Sequence, residues 1–274
     1  MKKINAIRIE NVYDFDTVHI FECGQCFRWN KEDDAYVGVV SGHVCKAEYD
    51  ASAAVLTLET TGGDESFWRN YFDLATDYSE IRKTLAEAEP GTTAALEYGH
   101  GIRILNQDPF EILISFIISQ NNNIPRIKKN IEALSAKYGE EIGECFGTTR
   151  CAFPEPEALA SAELPDLAEL RLGYRAEYIK AAAARFLEEG APETYEQVIA
   201  YLGIGPKVAN CIMLFGHRKV DAFPVDTWVK HIMNDMYGFN ESDVRGMTQF
   251  AEEHFGRYAG YAQQYLFYYY RDRR

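Results

Sequence analysis

Lys207 and Asp226 are separated by one apolar helix and the loop HRKVDAFPVD, and together they are the two groups that attack on a sugar C1′ needs. An amine can displace a base from that carbon once a helix dipole, desolvation or a cationic neighbour favours its neutral form. A nearby carboxylate stabilises the oxocarbenium charge that develops, and the amine ends as a Schiff base with the opened sugar. Each residue also has an ordinary reading. A lysine at the start of a helix is commonly a solvated side chain, and an aspartate ahead of TWVKHIM is commonly its N-cap.

The surroundings narrow the choice. Residues 195 to 233 read YEQVIAYLGIGPKVANCIMLFGHRKVDAFPVDTWVKHIM, in which a helix is expected to end at Leu202, turn through LGIGPK and start again within the turn. Gly203 and Gly205 let the chain bend sharply and let a phosphate approach the backbone, while the new helix N-terminus adds a positive dipole end. Many αα-corners share such a hairpin. It is not a nucleotide phosphate loop, because Val208 follows the lysine where a hydroxyl residue is required.

Composition makes a local grip necessary. The net charge is −14, with a pI near 4.9, and such a field repels phosphate overall. Acidic runs such as KEDD, GGDE and EAEP fall in the first third, whereas PRIKKN (125 to 130) and GYRAEYIKAAAAR (173 to 185) hold most of the basic character of the middle, so one positive face is expected. Hydrophobic residues make up 47% and aromatics 14%, enough to fold the whole chain. No stretch approaches the roughly 20 apolar residues of a membrane span, and the start MKKINAIRIENVYDF has no apolar signal region; a soluble, intracellular protein with free thiols is expected. Cys23 and Cys26 in ECGQCFRW have the spacing of a zinc half-site or a redox pair, but no second Cys/His pair with zinc spacing follows.

The elements that must position these residues fall into two styles. Residues 35 to 60 mix β-branched residues with period-2 alternation, Leu56 and Leu58 opposite Val55, Thr57 and Glu59, and predict an antiparallel sheet. From Trp68 the period becomes helical, with FWRNYFDL, then SEIRKTLAEAE opened by Ser79 as N-cap, and from Asp108 nearly everything is helical. Asp108-Pro109 opens the almost wholly apolar FEILISFIISQ, which ends in QNNNIPR; the asparagines make a turn or present amides at a recognition surface.

Five separated stretches in family order resemble the 8-oxoguanine DNA glycosylase family (the Ogg type) of the helix-hairpin-helix glycosylases. They are GQCFRW (24 to 29), QDPFEILISFIISQNNNIPRI (107 to 127), LGYRAEYI (172 to 179), LGIGPKVANCI with FPVDTW, and YAGYAQQYLF (258 to 267). The resemblance implies an α+β fold: a TBP-like N-terminal antiparallel sheet domain over 1–98, a helical domain from 99–114 and 203–274 with the hairpin and the aspartate, and a second helical domain over 115–202.

It also implies a bifunctional DNA glycosylase and lyase acting on duplex DNA that contains 8-oxoguanine, with Lys207 as nucleophile and Asp226 as its carboxylate. The Gly24 carbonyl would accept N7–H of the lesion, which guanine lacks; Cys211 and Phe267 would sandwich the flipped base and Gln263 would bond its Watson–Crick edge. Asn121, Arg126 and Arg175 would fill or read the space by the orphaned cytosine, Tyr174 would wedge the stack, and Gly203, Gly205 and Trp228 would meet the backbone. By residue type alone Phe267 reads as core, Cys211 as a buried thiol and Arg175 as a solvated charge.

The family pattern is broken twice. Trp228 stands where eukaryotic members have a histidine, and Asp272, flanked by Arg271 and Arg273, stands where an arginine reads the orphan cytosine. Strict cytosine preference is therefore in question. The last cysteine is Cys211, so the iron–sulfur cluster of endonuclease III-type relatives is not expected, nor is any other cofactor or metal. Lys207 argues against an alkylpurine glycosylase, which works through the aspartate and water. A DNA-damage sensor that binds without cutting would carry the same hairpin but has no use for Lys207, Asp226 and the pocket set together. A monomer in a prokaryotic cytoplasm, working at the nucleoid, is the expected setting.

Overall fold

The computed structural model describes residues 2–273. Strands β1 (Asn5–Ile9), β2 (Trp29–Glu32), β3 (Ala35–Val40), β4 (His43–Asp50) and β5 (Val55–Thr60) form one antiparallel sheet in the order β1-β5-β4-β3-β2. Leu56 and Leu58 are fully buried while Thr57 and Glu59 are partly exposed, as the alternation predicts. β1 and β2 lie outside the stretch that the alternation marked; they are the short edge strands. Trp29 pairs with Gly38, where a Cβ would overlap the indole, so the glycine is what lets β3 pass under the tryptophan.

Helix α1 (Thr17–Glu22) connects β1 to β2, and α2 (Glu65–Tyr71), α3 (Tyr78–Ala88) and α4 (Thr93–Tyr98) follow the sheet. The N-cap of α3 is Asp77 and not Ser79: the Asp77 Oδ1 accepts from the backbone N–H of Ser79 and Glu80 at 3.0 and 3.2 Å. The acid wins because its charge complements the helix dipole as well as the orphan N–H groups. Helix α5 (Pro109–Ser119) starts at the Asp108 cap as predicted and is buried at every position from Ile112 to Ile118.

The body continues through α6 (Ile124–Tyr138), the hairpin β6 (Glu141–Cys145) and β7 (Thr148–Cys151), and α7 (Pro156–Ser161), α8 (Leu164–Glu169) and α9 (Arg175–Glu189). It is completed by α10 (Tyr195–Ile199), α11 (Pro206–Gly216), α12 (Thr227–Tyr237), α13 (Val244–Phe255) and α14 (Ala259–Arg271). The β6–β7 hairpin is the non-helical exception after Asp108, where nearly everything was expected to be helical; its turn uses left-handed backbone at Phe146 and Gly147, φ 51° and 75°. Helix α10 ends at Ile199, before the expected Leu202, because Arg185 takes the Ala200 carbonyl at 2.5 Å and stacks on the Tyr201 ring. One hydrophobic core surrounds α5, α11 and α14; a second, with Phe21, Trp29, Trp68 and Phe72, lies behind the sheet.

Gln25 ties the two together. Its Nε2 donates to the carbonyls of Ile20 (3.0 Å) and Arg103 (2.7 Å), and its Oε1 accepts from the Leu105 N–H (2.9 Å), all in a fully buried position. Gln25→Leu strands these groups without partners, at about 1–3 kcal/mol each, so we expect it to lower unfolding stability by about 3 kcal/mol or more. A denaturant midpoint unchanged from wild type would show that Gln25 is not the clamp.

Candidate active site

Lys207 is the second residue of α11, and Cys211 lies one turn on, facing the same way. The Lys207 Nζ sits over the Phe116 ring, 5.8 Å from its centroid. Asp226 caps α12: its Oδ1 accepts from the Val229 N–H at 2.8 Å, which fixes the carboxylate's rotamer. The N-cap reading of Asp226 therefore holds, and the capped carboxylate lines the same cavity as Lys207. Gly24 follows α1 with φ +84°, backbone that glycine adopts without strain.

One cavity joins these residues. It is lined by Gly24 and Cys23 from the loop after α1, Phe116 from α5, Lys207, Cys211 and Phe215 from α11, Pro224 and Asp226 ahead of α12, and Gln263, Gln264 and Phe267 from α14. All six residues expected around the flipped base and its sugar line this one space. Phe267 is not core, although its neighbours Leu266 and Tyr268 are buried. The Gln263 Oε1 is buried and has no hydrogen-bond partner among the described residues.

The electrostatics correct one expectation. Lys207 is shifted upward, first by the Cys211 sulfur and then by the Asp226 carboxylate, against the opposing effect of burial. Burial pushes the Cys211 thiol up against the pull of Lys207, and burial raises Asp226 against its bond to the Val229 N–H and the Lys207 charge. The three titrate as a set. The resting site thus keeps Lys207 as an ammonium, where dipole or desolvation was expected to favour the free amine.

Three comparisons with known proteins bear on this arrangement. The N-terminal domain model of 8-oxoguanine DNA glycosylase matches residues 7–113, and that of the HhH-GPD superfamily of base excision DNA repair proteins matches residues 114–256. The chain belongs to the 8-oxoguanine DNA glycosylase family. A probable N-glycosylase/DNA lyase of Methanothermobacter thermautotrophicus is 31% identical over 93% of both chains, and an N-glycosylase/DNA lyase of Arabidopsis thaliana is 30% identical over 90% of this chain and 75% of its own. The structure of the Clostridium acetobutylicum 8-oxoguanine glycosylase/lyase with double-stranded DNA containing cytosine opposite 8-oxoG superposes with a TM-score of 0.92, at 38% identity, over 100% of this chain and 98% of that one.

Family membership leaves the pocket's support to be found in this chain. Gln264 donates to the Cys23 carbonyl at 2.7 Å and Gln107 to the Gln25 carbonyl at 2.9 Å, so the loop is pinned on both sides of Gly24. Reading the motifs residue by residue missed Gln25, Gln107 and Gln264. Gln25, between cysteines and ahead of Phe27, offered the signal of a lone amide among apolar residues, whereas Gln107 and Gln264 stand beside other polar residues and offered none. Cys23 and Cys26 are buried thiols, the first pushed up to about 11 and the second also raised, by burial in both cases, so neither offers the thiolate that zinc or disulfide exchange uses.

A second group gathers where α5 ends. Asn121 is exposed with φ 46°, Asn123 caps α6, and Asn122 bonds back to the Ile118 carbonyl, so the three asparagines divide turn, cap and surface among them. Arg175 is not a solvated charge: it is 5% exposed, and its guanidinium donates to the carbonyls of Gln120, Asn121 and Leu172 while stacking on Tyr174. Tyr174 itself is 49% exposed.

Arg126 bonds the Arg171 carbonyl and, with Lys129 and Arg171, lines a groove there. Much of the remaining basic character is spent internally, as with Lys128 on the Trp29 carbonyl and Lys180 on that of Ala162. In the hairpin the two glycines divide their work. Gly203 has φ +77° and lies against Tyr178, while Gly205 caps α11 in extended backbone with open space before it. Trp228 is half-buried in the first turn of α12, beside Asp226.

Proposed function

We propose that this protein excises 8-oxoguanine from duplex DNA and then cleaves the strand, with Lys207 as nucleophile. The observation that carries this is the meeting of an amine, a carboxylate, a glycine turn, a thiol, an amide and an aromatic ring in one cavity. The Lys207 ammonium gives one proton to the departing base, and the Nζ lone pair so freed bonds to C1′ as the C1′–N9 bond breaks. Asp226 stabilises the positive charge that builds on the sugar. A proton then passes from Nζ to O4′ as the C1′–O4′ bond breaks and the iminium forms, and loss of a C2′ proton expels the 3′ phosphate.

Around this centre the Gly24 carbonyl accepts N7–H, Gln263 bonds the Watson–Crick edge, and Cys211 and Phe267 hold the two faces. Asn121, Arg126 and Tyr174 meet the space left in the helix, with Arg175 holding their loop, and Gly203, Gly205 and Trp228 meet the backbone phosphates at two helix N-termini. The protein works as a monomer in a prokaryotic cytoplasm; among the described residues no helix is long and apolar enough to cross a membrane. The test is incision of duplexes with one 8-oxoguanine opposite each of the four bases, beside unmodified guanine. Lesion-dependent incision supports the reading, the four lanes give the opposite-base preference, and equal treatment of guanine would defeat it.

The upward-shifted Lys207 makes a further prediction on pH. Trapping on a duplex with an abasic site, where no base can take the proton, should rise with pH toward the alkaline range. In Asp226→Asn one raising charge is gone and the rise should move to lower pH. A flat profile in wild type would contradict the ammonium resting state.

A further inference from the structure

Gln263, Phe267 and Arg271 stand four residues apart along α14 and so share one stripe of that helix. The first two line the lesion cavity. Arg271 stands at the edge of that cavity: its guanidinium lies 5.6 Å from the Phe267 ring centroid and 5.2 Å from that of Tyr268, and its Nη1 is 3.9 Å from the point that a Cβ on Gly24 would occupy. Asp272 sets this pose. Its Oδ1 accepts from the Arg271 Nε at 2.9 Å and lies 2.7 Å from Nη2, and its Oδ2 accepts from the Tyr98 hydroxyl at 3.2 Å. The third nitrogen, Nη1, is buried and has no partner among the described residues. A buried donor without an acceptor is costly, and the cost is recovered when a ligand supplies one.

We propose that Arg271 is a further specificity-determining residue of this pocket, its Nη1 donating to the O6 carbonyl of the flipped purine. The inference rests on the function proposed above. On an 8-oxoguanine ring, O6 lies between N7–H, which faces the Gly24 carbonyl, and the Watson–Crick edge, which faces Gln263. A donor reaching in beside Gly24 from the helix that carries Gln263 completes the alternation: acceptor, donor, amide. Asp272 then has a use of its own, since it neutralises and aims the neighbouring arginine.

The test is binding of duplexes carrying 8-oxoguanine or 8-oxoadenine, 2′-fluorinated so that the glycosidic bond resists cleavage. 8-Oxoadenine keeps N7–H and O8 but presents an amino donor in place of O6. Arg271→Met should weaken binding of the 8-oxoguanine duplex roughly 10-fold and leave the 8-oxoadenine duplex within about twofold, and Arg271→Lys should restore part of the difference. Should the methionine variant not fold, Arg271→Gln carries the same comparison. Equal weakening on both duplexes would make Arg271 only a support for Phe267, and no change on either would remove it from the pocket; both results overturn the inference. A wild type indifferent to 8-oxoguanine against guanine would instead defeat the parent reading.

Discussion

Lys207→Gln should still bind 8-oxoguanine duplex while base excision and strand cleavage fall by a factor on the order of 10⁴ or more. Glutamine is a good helix former of similar reach, so α11 and its Gly205 cap should persist and stability should change by less than about 1 kcal/mol. What is lost is the nucleophile, and among the described residues no other amine lines the cavity. Single-turnover excision and gel-shift binding on the same duplex measure both halves. Cleavage within tenfold of wild type would mean that Lys207 is the solvated helix-start lysine of the ordinary reading.

Asp226→Asn separates the two roles that meet in one residue. Asparagine is as good an N-cap as aspartate, so the bond to the Val229 N–H survives, and excision should nevertheless fall by about 10²–10³ because the charge facing the oxocarbenium is gone. Asp226→Ala should lose the cap as well, at about 0.5–2 kcal/mol of stability. The sign of the pH effect can be worked out. Burial raises the Asp226 carboxyl, so ionising it costs the folded state more than the unfolded chain. That cost is absent below the unfolded value and complete above the folded one. Asp226→Asn should therefore be at least as stable as wild type at neutral pH while being far less active. An Asn variant that loses stability but keeps its rate would reduce Asp226 to a cap.

What was legible beforehand were features that short stretches decide. The Asp108-Pro109 start of α5, the alternation in β5 and the hairpin before α11 follow from residue preference and period. Lys207 and Asp226 could be singled out by their chemistry, but the other four pocket residues were legible only through resemblance, because Phe267 and Cys211 taken singly look like core. Hidden were features set by contacts distant in sequence. Gln264 reaches the Cys23 carbonyl from the far end of the chain, and Gln25 finds its partners at Arg103 and Leu105. Arg175 reads as a surface charge until the carbonyls ending α5 are seen to converge on it.

The Lys207 shift was missed for a different reason. The four-residue spacing to Cys211 was in view, but the balance of the Cys211 sulfur and the Asp226 carboxylate against burial depends on the packed cavity. Edge strands β1 and β2 and the β6–β7 hairpin are too short to show a period.

The most direct test of the central claim is borohydride trapping with a duplex carrying one 8-oxoguanine, followed by peptide mass mapping of the adduct. The account predicts a covalent protein–DNA adduct with the lesion duplex and none with guanine, the sugar remnant on the peptide containing Lys207, and no adduct in Lys207→Gln. Lesion-specific cleavage without an adduct, or an adduct on another residue, would contradict it.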